Sequence, residues 1–392
     1  MFRRFLADLS LSAVVAGFVA VLVGFTSSVV IVFAAAQALG ATPAQTTSWV
    51  WALGLGMGLT SIGLSLATRQ PVLTAWSTPG AALLAGTSGV PMAEAVGAFI
   101  ACGALIVLAG LTRAFERVMD RIPQAIAAAL LAGVLARFGL DAAGALATAP
   151  LLVVAMALAF LAGRRWWPRY AVPGVLLAGV AVAAAQGRMQ WARVVLEPAW
   201  PVWTAPTFSA SAFVGVALPL FVVTMASQNL PGVAAQRAAG FRTPVSASIA
   251  ATGAAGVVLA PFGGYAFNLA AITAAICMGR EAHEDPQRRY TAAVMAGVFY
   301  LLVGLAGGAV VGALQAFPRE LVLAVAGLAL LGTIGGGLAA ALAHERHRDA
   351  AAITFLVTLS GVTLAGIGSA FWGVVAGTIA LVVQQWRPGA AR

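Results

Sequence analysis

Gln70-Pro-Val-Leu-Thr-Ala-Trp-Ser-Thr-Pro-Gly80 lies within strongly apolar sequence and yet does not read as helix. Pro71 and Pro79 bracket β-favouring residues, after which Ala81-Ala-Leu-Leu-Ala85 resumes a helical composition. The expected form is a short extended segment followed by a half-helix. A second stretch behaves alike: Pro261-Phe-Gly-Gly-Tyr-Ala-Phe-Asn268 is Gly-rich and aromatic, and Leu269-Ala-Ala-Ile-Thr-Ala-Ala-Ile-Cys277 then reads as helix. One such segment alone is equally well a kinked helix whose freed carbonyl is satisfied by a neighbour. Two of them suggest a shared cavity, because extended backbone at membrane depth needs protein or water to cover its polar groups.

The sequence around both stretches is that of a membrane protein. Of 392 residues, 61% are apolar and 9% charged, whereas soluble domains hold roughly 45–50% and 25%. A water-soluble enzyme of this length is excluded for want of polar surface. At about 20 apolar residues per crossing, the chain accommodates about fourteen helices and no soluble domain. The apolar runs place them near 11–38, 47–67, 71–87, 91–112, 122–140, 150–163, 170–186, 208–229, 243–260, 263–279, 290–313, 318–341, 351–367 and 370–386. The two broken stretches are then spans three and ten.

The net charge of +10 comes from 22 basic residues, all Arg, against 12 acidic ones. Scattered in short loops, these arginines report topology rather than nucleic-acid binding. With a cytoplasmic N-terminus, eighteen fall on the inner side and four (Arg137, Arg188, Arg193, Arg319) on the outer. That asymmetry supports the span count and puts both termini in the cytoplasm. Met1-Phe-Arg-Arg leads into the first apolar run without a small-residue cleavage site, so the first helix is expected to be retained. Cys102 and Cys277 sit in apolar runs as packing residues.

The halves correspond. A shift of 194 residues superposes Gly103 on Gly297, Gly110-Leu111 on Gly304-Leu305, and Ala132-Gly133 on Ala326-Gly327. The same shift lays Thr78-Pro-Gly-Ala-Ala-Leu-Leu84 over Ile272-Thr-Ala-Ala-Ile-Cys-Met278, aligning the two half-helix starts. Seven spans per repeat is odd, so the second repeat (205–392) is inverted relative to the first (1–190), and a site between paired broken helices belongs near the bilayer midplane.

Half-helix N-termini aimed at one volume favour an anion. Ser77 and Thr78, with Pro79-Gly80, precede or open the first half-helix and Asn268 precedes the second; each is a cap or a direct donor. Trp76, Tyr265 and Phe267 either pack between helices or cover the faces of a flat ring. Ser227, Gln228 and Asn229 end the eighth span as an interfacial cap, or line the cavity if they lie deeper. Ser27, within Thr26-Ser-Ser28, bonds back to its own helix or lines a route. Arg137, with Asp141 one turn later, reads first as a snorkelling ion pair and second as a substrate contact. His283, His344 and His347 all fall in loops, so no histidine cluster, metal site or catalytic triad is expected, and no phosphate-binding loop occurs. No Asp or Glu lies near the centre of a span, so a carboxylate proton relay is not visible.

Leu73-Thr-Ala-Trp-Ser-Thr-Pro-Gly-Ala-Ala-Leu-Leu84, Pro219-Leu-Phe-Val-Val-Thr-Met-Ala-Ser-Gln-Asn229, Ala271-Ile-Thr-Ala-Ala-Ile-Cys277 and Gly366-Ile-Gly-Ser-Ala-Phe-Trp-Gly373 resemble the bacterial benzoate:proton symporter family. The resemblance runs from about residue 10 to 385. It implies an inner-membrane carrier of benzoate or a close aromatic acid, coupled to protons and needing no cofactor. The family is similar to nucleobase:cation symporters and sulfate permeases. That similarity implies a core domain of spans 1–4 and 8–11, a gate domain of spans 5–7 and 12–14, and a site between them; a homodimer stays open. Where the nucleobase carriers place acids on spans eight and ten, Ser227 or Gln228 and Phe267 stand here, so their proton chemistry does not transfer. Losing those charges suits an anionic substrate. A carrier for another small anion or a nucleobase, and an anion channel, are the alternatives.

Overall fold

The computed structural model describes residues 2–85, 87, 89–120, 122–167, 171–190, 199–306, 316–362, 364 and 369–385; the side chains of Thr26 and Ser27 lie outside what is described. Helical segments stand at each expected position. They are α1 (Leu11–Ala38), α2 (Pro43–Thr68), α3 (Thr78–Ala85), α4 (Met92–Leu111), α5 (Gln124–Gly144), α6 (Pro150–Trp166) and α7 (Ala171–Ala185) in the first half. The second half holds α8 (Ala210–Ala238), α9 (Val245–Leu259), α10 (Ile272–Met278), α11 (Tyr290–Ala306), α12 (Arg319–Leu342), α13 (Arg348–Leu359) and α14 (Ser369–Gln385). Strands β1 (Thr74–Trp76) and β2 (Phe267–Leu269) precede the half-helices α3 and α10. Among the described residues, seven helices are long and apolar enough to cross a bilayer unaided.

The helix ends follow local chemistry. Ser10 caps α1 by accepting from the Ala13 N–H at 3.2 Å, and Thr42 and Gln45 form a reciprocal box at the start of α2. Prolines open α2 and α6 and precede α4, α5 and α12, where a missing N–H costs nothing. The α10 C-terminus is held from outside the helix: the buried Arg289 guanidinium donates to the Met278 carbonyl at 2.9 Å.

Helix α8 is not regular. Two π turns, Phe213–Ala217 and Met225–Asn229, interrupt it, each followed closely by a proline, Pro219 and Pro231. A proline cannot donate to the carbonyl four residues back and its ring collides with it, and the wider turn relieves that conflict. The second π turn contains Ser227, Gln228 and Asn229.

Packing repeats with an exchange of seven helices. α1 packs on α3 as α8 does on α10, α2 on α11 as α9 on α4, and α6 on α7 as α13 on α14, while α5 and α12 pack on each other. Glycines make these approaches close. A Cβ on Gly103 would stand 3.0 Å from the Gly253 carbonyl of α9, and one on its repeat mate Gly297 would stand 2.9 Å from the Gly58 carbonyl of α2. Gly110 meets Ala250, and its mate Gly304 meets Gly54. Without a hydrophobic force between helices in lipid, such contact supplies the attraction through dispersion.

Candidate functional site

The two broken stretches are joined to each other. β1 and β2 pair antiparallel with Thr74 opposite Leu269, Ala75 opposite Asn268 and Trp76 opposite Phe267. Backbone bonds continue beyond both ends, Ala270 N–H to the Leu73 carbonyl at 2.9 Å and Ser77 N–H to the Ala266 carbonyl at 3.1 Å. This register maps onto itself under the 194-residue shift, since 74 and 75 become 268 and 269, as an inverted repeat with its two-fold axis through the strand pair requires. The extended backbone is thereby satisfied inside the protein, and a simple kinked helix is ruled out for both spans.

Side chains clip the outer edges of this ribbon. On the α2 side, Thr74 N–H donates to Ser61 Oγ at 3.0 Å, Thr74 Oγ1 donates to the Met57 carbonyl at 3.1 Å, and Ser65 Oγ donates to the Val72 carbonyl at 2.9 Å. On the α8 side, Leu269 N–H donates to Asn229 Oδ1 at 2.9 Å. Asn229 is fully buried and acts on the strand, not on the cavity.

Against the ribbon lies a chamber of about 80 Å³, lined by Trp76 and Thr78, by Gln228 on α8, by Ala271–Thr273 at the start of α10, by Tyr300 on α11 and by Phe138 on α5. Val23, Gly24 and Ser28 of α1, Met57 of α2, Ala75 of β1 and Ala270 complete it. One water needs roughly 10–15 Å³ on this measure and a benzene-binding cavity about 150 Å³, so the chamber alone holds a few waters and a ring needs part of the adjoining space as well. A vestibule of about 590 Å³ shares Ser28, Thr78, Phe138, Gln228, Ala271 and Ile272 with it and adds Pro79, Ser227, Arg137, Thr358 and Ser360–Gly361. The two adjoin at these six shared residues, among helices α1, α3, α5, α8, α10 and α13.

Every expected site residue except Ser27 has a described side chain. Trp76, Thr78, Pro79, Ser227 and Gln228 line the chamber or the vestibule. Trp76 Nε1 donates to Ser28 Oγ at 3.2 Å and its ring meets Phe25 edge-on at 5.0 Å, which fixes its orientation. Ser77 is fully buried as the cap of α3, accepting from the Gly80 N–H at 3.1 Å and from Thr224 Oγ1 at 3.0 Å. Gly80 packs against Leu220. Tyr265 is packed against Trp49 and Phe99, and Phe267 fills the notch left by Gly56 and Gly256, so neither ring faces the chamber. Asn268 is fully buried on β2, its amide donating to the Ala266 carbonyl at 3.3 Å. The Ser27 side chain and residues 366–368 of the last motif lie outside the described residues.

Sequence reading missed Tyr300, Phe138, Thr273 and Gly24. Tyr300 carried a signal: it stands between Gly297 and Gly304 on a span whose other polar residues, Tyr290 and Thr291, are at its start. It is hydrogen-bonded to Thr273, and a Cβ on Gly24 would come within 3.2 Å of its hydroxyl. Three spans therefore meet at that wall of the chamber.

The family model of the benzoate membrane transport protein, BenE, matches residues 7–383. The chain belongs to the BenE family. An Escherichia coli (strain K12) relative, "Inner membrane protein YdcO", is 52% identical over 94% of each chain. The "Benzoate membrane transport protein" of Acinetobacter baylyi is 41% identical over 96% of each. Among solved structures, SLC26A9 aligns with 96% of this chain and 66% of its own at 12% identity and a TM-score of 0.50, a likeness of fold alone. Like its BenE relatives, the chain is a multi-pass membrane transport protein and not an enzyme.

Proposed function

We propose that this BenE protein is a secondary transporter that imports benzoate, or a close aromatic carboxylate, together with protons across the inner membrane by alternating access. The observation that carries the reading is the chamber beside the strand pair, with aromatic walls and a few convergent polar groups. The ring lies among Trp76, Phe138, Tyr300 and Met57; the carboxylate meets Thr78, Gln228 and the positive end of the eight-residue α3. The family description and the name of the A. baylyi relative support the substrate class.

The strand pair, Thr78 and Gln228 belong to a core of α1–α4 and α8–α11, and Phe138 to a gate of α5–α7 and α12–α14. The vestibule is lined by the middle of α5, at Gly133, Val134, Arg137 and Phe138, and by the C-terminal end of α13. Arg164 at the end of α6 and Glu281 after α10 bridge gate to core at 2.9 Å at the opposite end of the molecule. With the orientation that the arginine asymmetry favours, that ion pair is cytoplasmic, which supports an outward-facing state. Among the described residues neither space is lined by an acid, which supports a proton that travels on the substrate or through water.

Counterflow of radiolabelled benzoate in proteoliposomes, with and without an imposed pH gradient, tests the reading. Saturable accumulation that rises with inward acid drive is expected. Ohmic anion current would make it a channel, and uptake of uracil or sulfate with no benzoate would remove the substrate assignment.

A further inference from the structure

Arg137 is the sole charged side chain lining either the chamber or the vestibule among the described residues. It stands on α5 one residue before Phe138, which lines both spaces. Its partner is Asp141, four residues on, and the pairing is loose: Nε lies 3.7 Å from Oδ1, with the two side chains 61% and 43% exposed. A charge-assisted hydrogen bond normally closes to about 2.7–2.9 Å. The far end of the guanidinium reaches across to α13, where Nη1 would be 3.9 Å from a Cβ on Gly361. Gly361 has φ +71°, a left-handed turn that ends α13 and suits a residue without a side chain. The guanidinium therefore lines the vestibule between α5 and the end of α13, where Gly361 leaves its Nη1 end room.

We infer that Arg137 is a carboxylate-docking residue at the mouth of the site: it exchanges the Asp141 carboxylate for that of the incoming aromatic acid before the ring passes Phe138 into the chamber. The inference rests on the proposed transport of aromatic carboxylates. Exchange is cheap because an exposed, monodentate ion pair contributes little to stability. It is useful because the chamber beyond carries no charge, and a carboxylate that sheds its water there needs a cation along the approach. Arg137 lines the vestibule alone whereas Thr78 and Gln228 line the chamber as well, so it selects the anion at entry and leaves final binding to the neutral groups.

The two singles of the Arg137–Asp141 pair separate docking from a helix staple. A staple is lost in both variants alike, whereas docking moves them in opposite directions. In proteoliposomes holding the full chain, Arg137→Gln is expected to raise the half-saturating benzoate concentration about fivefold with the maximal rate held within about twofold. Asp141→Asn, which removes the competitor, lowers that concentration, and Arg137→Lys falls between Arg137→Gln and the unchanged protein. Added salt weakens benzoate affinity in the unchanged protein and ceases to do so in Arg137→Gln. Inhibition by the neutral isostere benzamide is the same in all four. Benzoate affinity that is unchanged in Arg137→Gln, or shifts the same way in both singles, overturns the docking role while transport stands. An unchanged protein that carries no benzoate removes the functional reading and the docking role together. Should Arg137→Gln not yield folded protein, the opposite shifts of Arg137→Lys and Asp141→Asn decide the question.

Discussion

Gln228 and Asn229 are adjacent in one π turn and do different work. Gln228 is half-buried and faces the chamber; Asn229 is fully buried and accepts from the Leu269 N–H of β2. Gln228→Ala should weaken benzoate binding about tenfold, the worth of a hydrogen bond to a charged group, without changing the melting temperature. Asn229→Ala should do the reverse, because it leaves a buried N–H unpaired at a cost of about 1–3 kcal/mol. Isothermal titration and thermal unfolding of the detergent-solubilised protein read the two effects; a large affinity loss in Asn229→Ala with unchanged melting would refute the division. The polar triplet was legible in the sequence as a candidate, but its depth was not, since a π turn shifts every later side chain around the helix. Pro231, two residues after Asn229, was the available sign. Tyr265 and Phe267 were read alongside Trp76 because an aromatic in a broken span looks the same whether it faces a ligand or a neighbouring helix. Gly56 and Gly256, which receive Phe267, lie on other helices, and one-dimensional sequence does not bring them together.

At the scale of elements, prolines and glycines announced the broken spans, and the 194-residue correspondence announced their equivalence. The pairing of the strands was not legible, because three-residue strands have no period to read and their partners are 190 or more residues apart. Two of the three glycine matches between the halves now have a physical cause: Gly103 with Gly297 and Gly110 with Gly304 place backbone against backbone in equivalent helix pairs, whereas Gly133 packs on α13 and Gly327 on α5. Gly54 and Gly63 of α2 make a matched test. A Cβ on Gly54 would lie 2.6 Å from the Gly304 Cα, whereas one on Gly63 meets nothing within 4 Å. Gly54→Ala should destabilise by about 1–3 kcal/mol through overpacking. Gly63→Ala should be neutral or stabilising by up to about 1 kcal/mol, since alanine is the better helix former. Thermal unfolding in detergent checks both, and equal shifts of the same sign would show that the α2–α11 approach is looser than described.

For the whole molecule, the sequence conveyed span order and the arginine bias, but not which state the transporter occupies, because that depends on contacts between the proposed core and gate. One such contact is Arg164–Glu281, at the end opposite the vestibule. Gly332 of α12 makes room for it: a Cβ there would stand 3.1 Å from both the guanidinium and the carboxylate. Glu281 is largely covered, with 13% of its side chain exposed, while Arg164 is 46% exposed, so the pair is worth about 1 kcal/mol or less. That is enough to change the ratio of two states up to about fivefold. If the pair closes the cytoplasmic side only when the vestibule is open, Glu281→Gln lowers the population with an open vestibule. A cysteine placed by Ser360→Cys in the vestibule reports it, since the native Cys102 and Cys277 are buried and give little background. Labelling of Ser360→Cys by a membrane-impermeant maleimide should slow severalfold in the Glu281→Gln background. Swapping the charges, Arg164→Glu with Glu281→Arg, should restore it, a recovery that general damage to the fold does not produce. Equal labelling in all three backgrounds would mean that the ion pair forms in both states and holds neither.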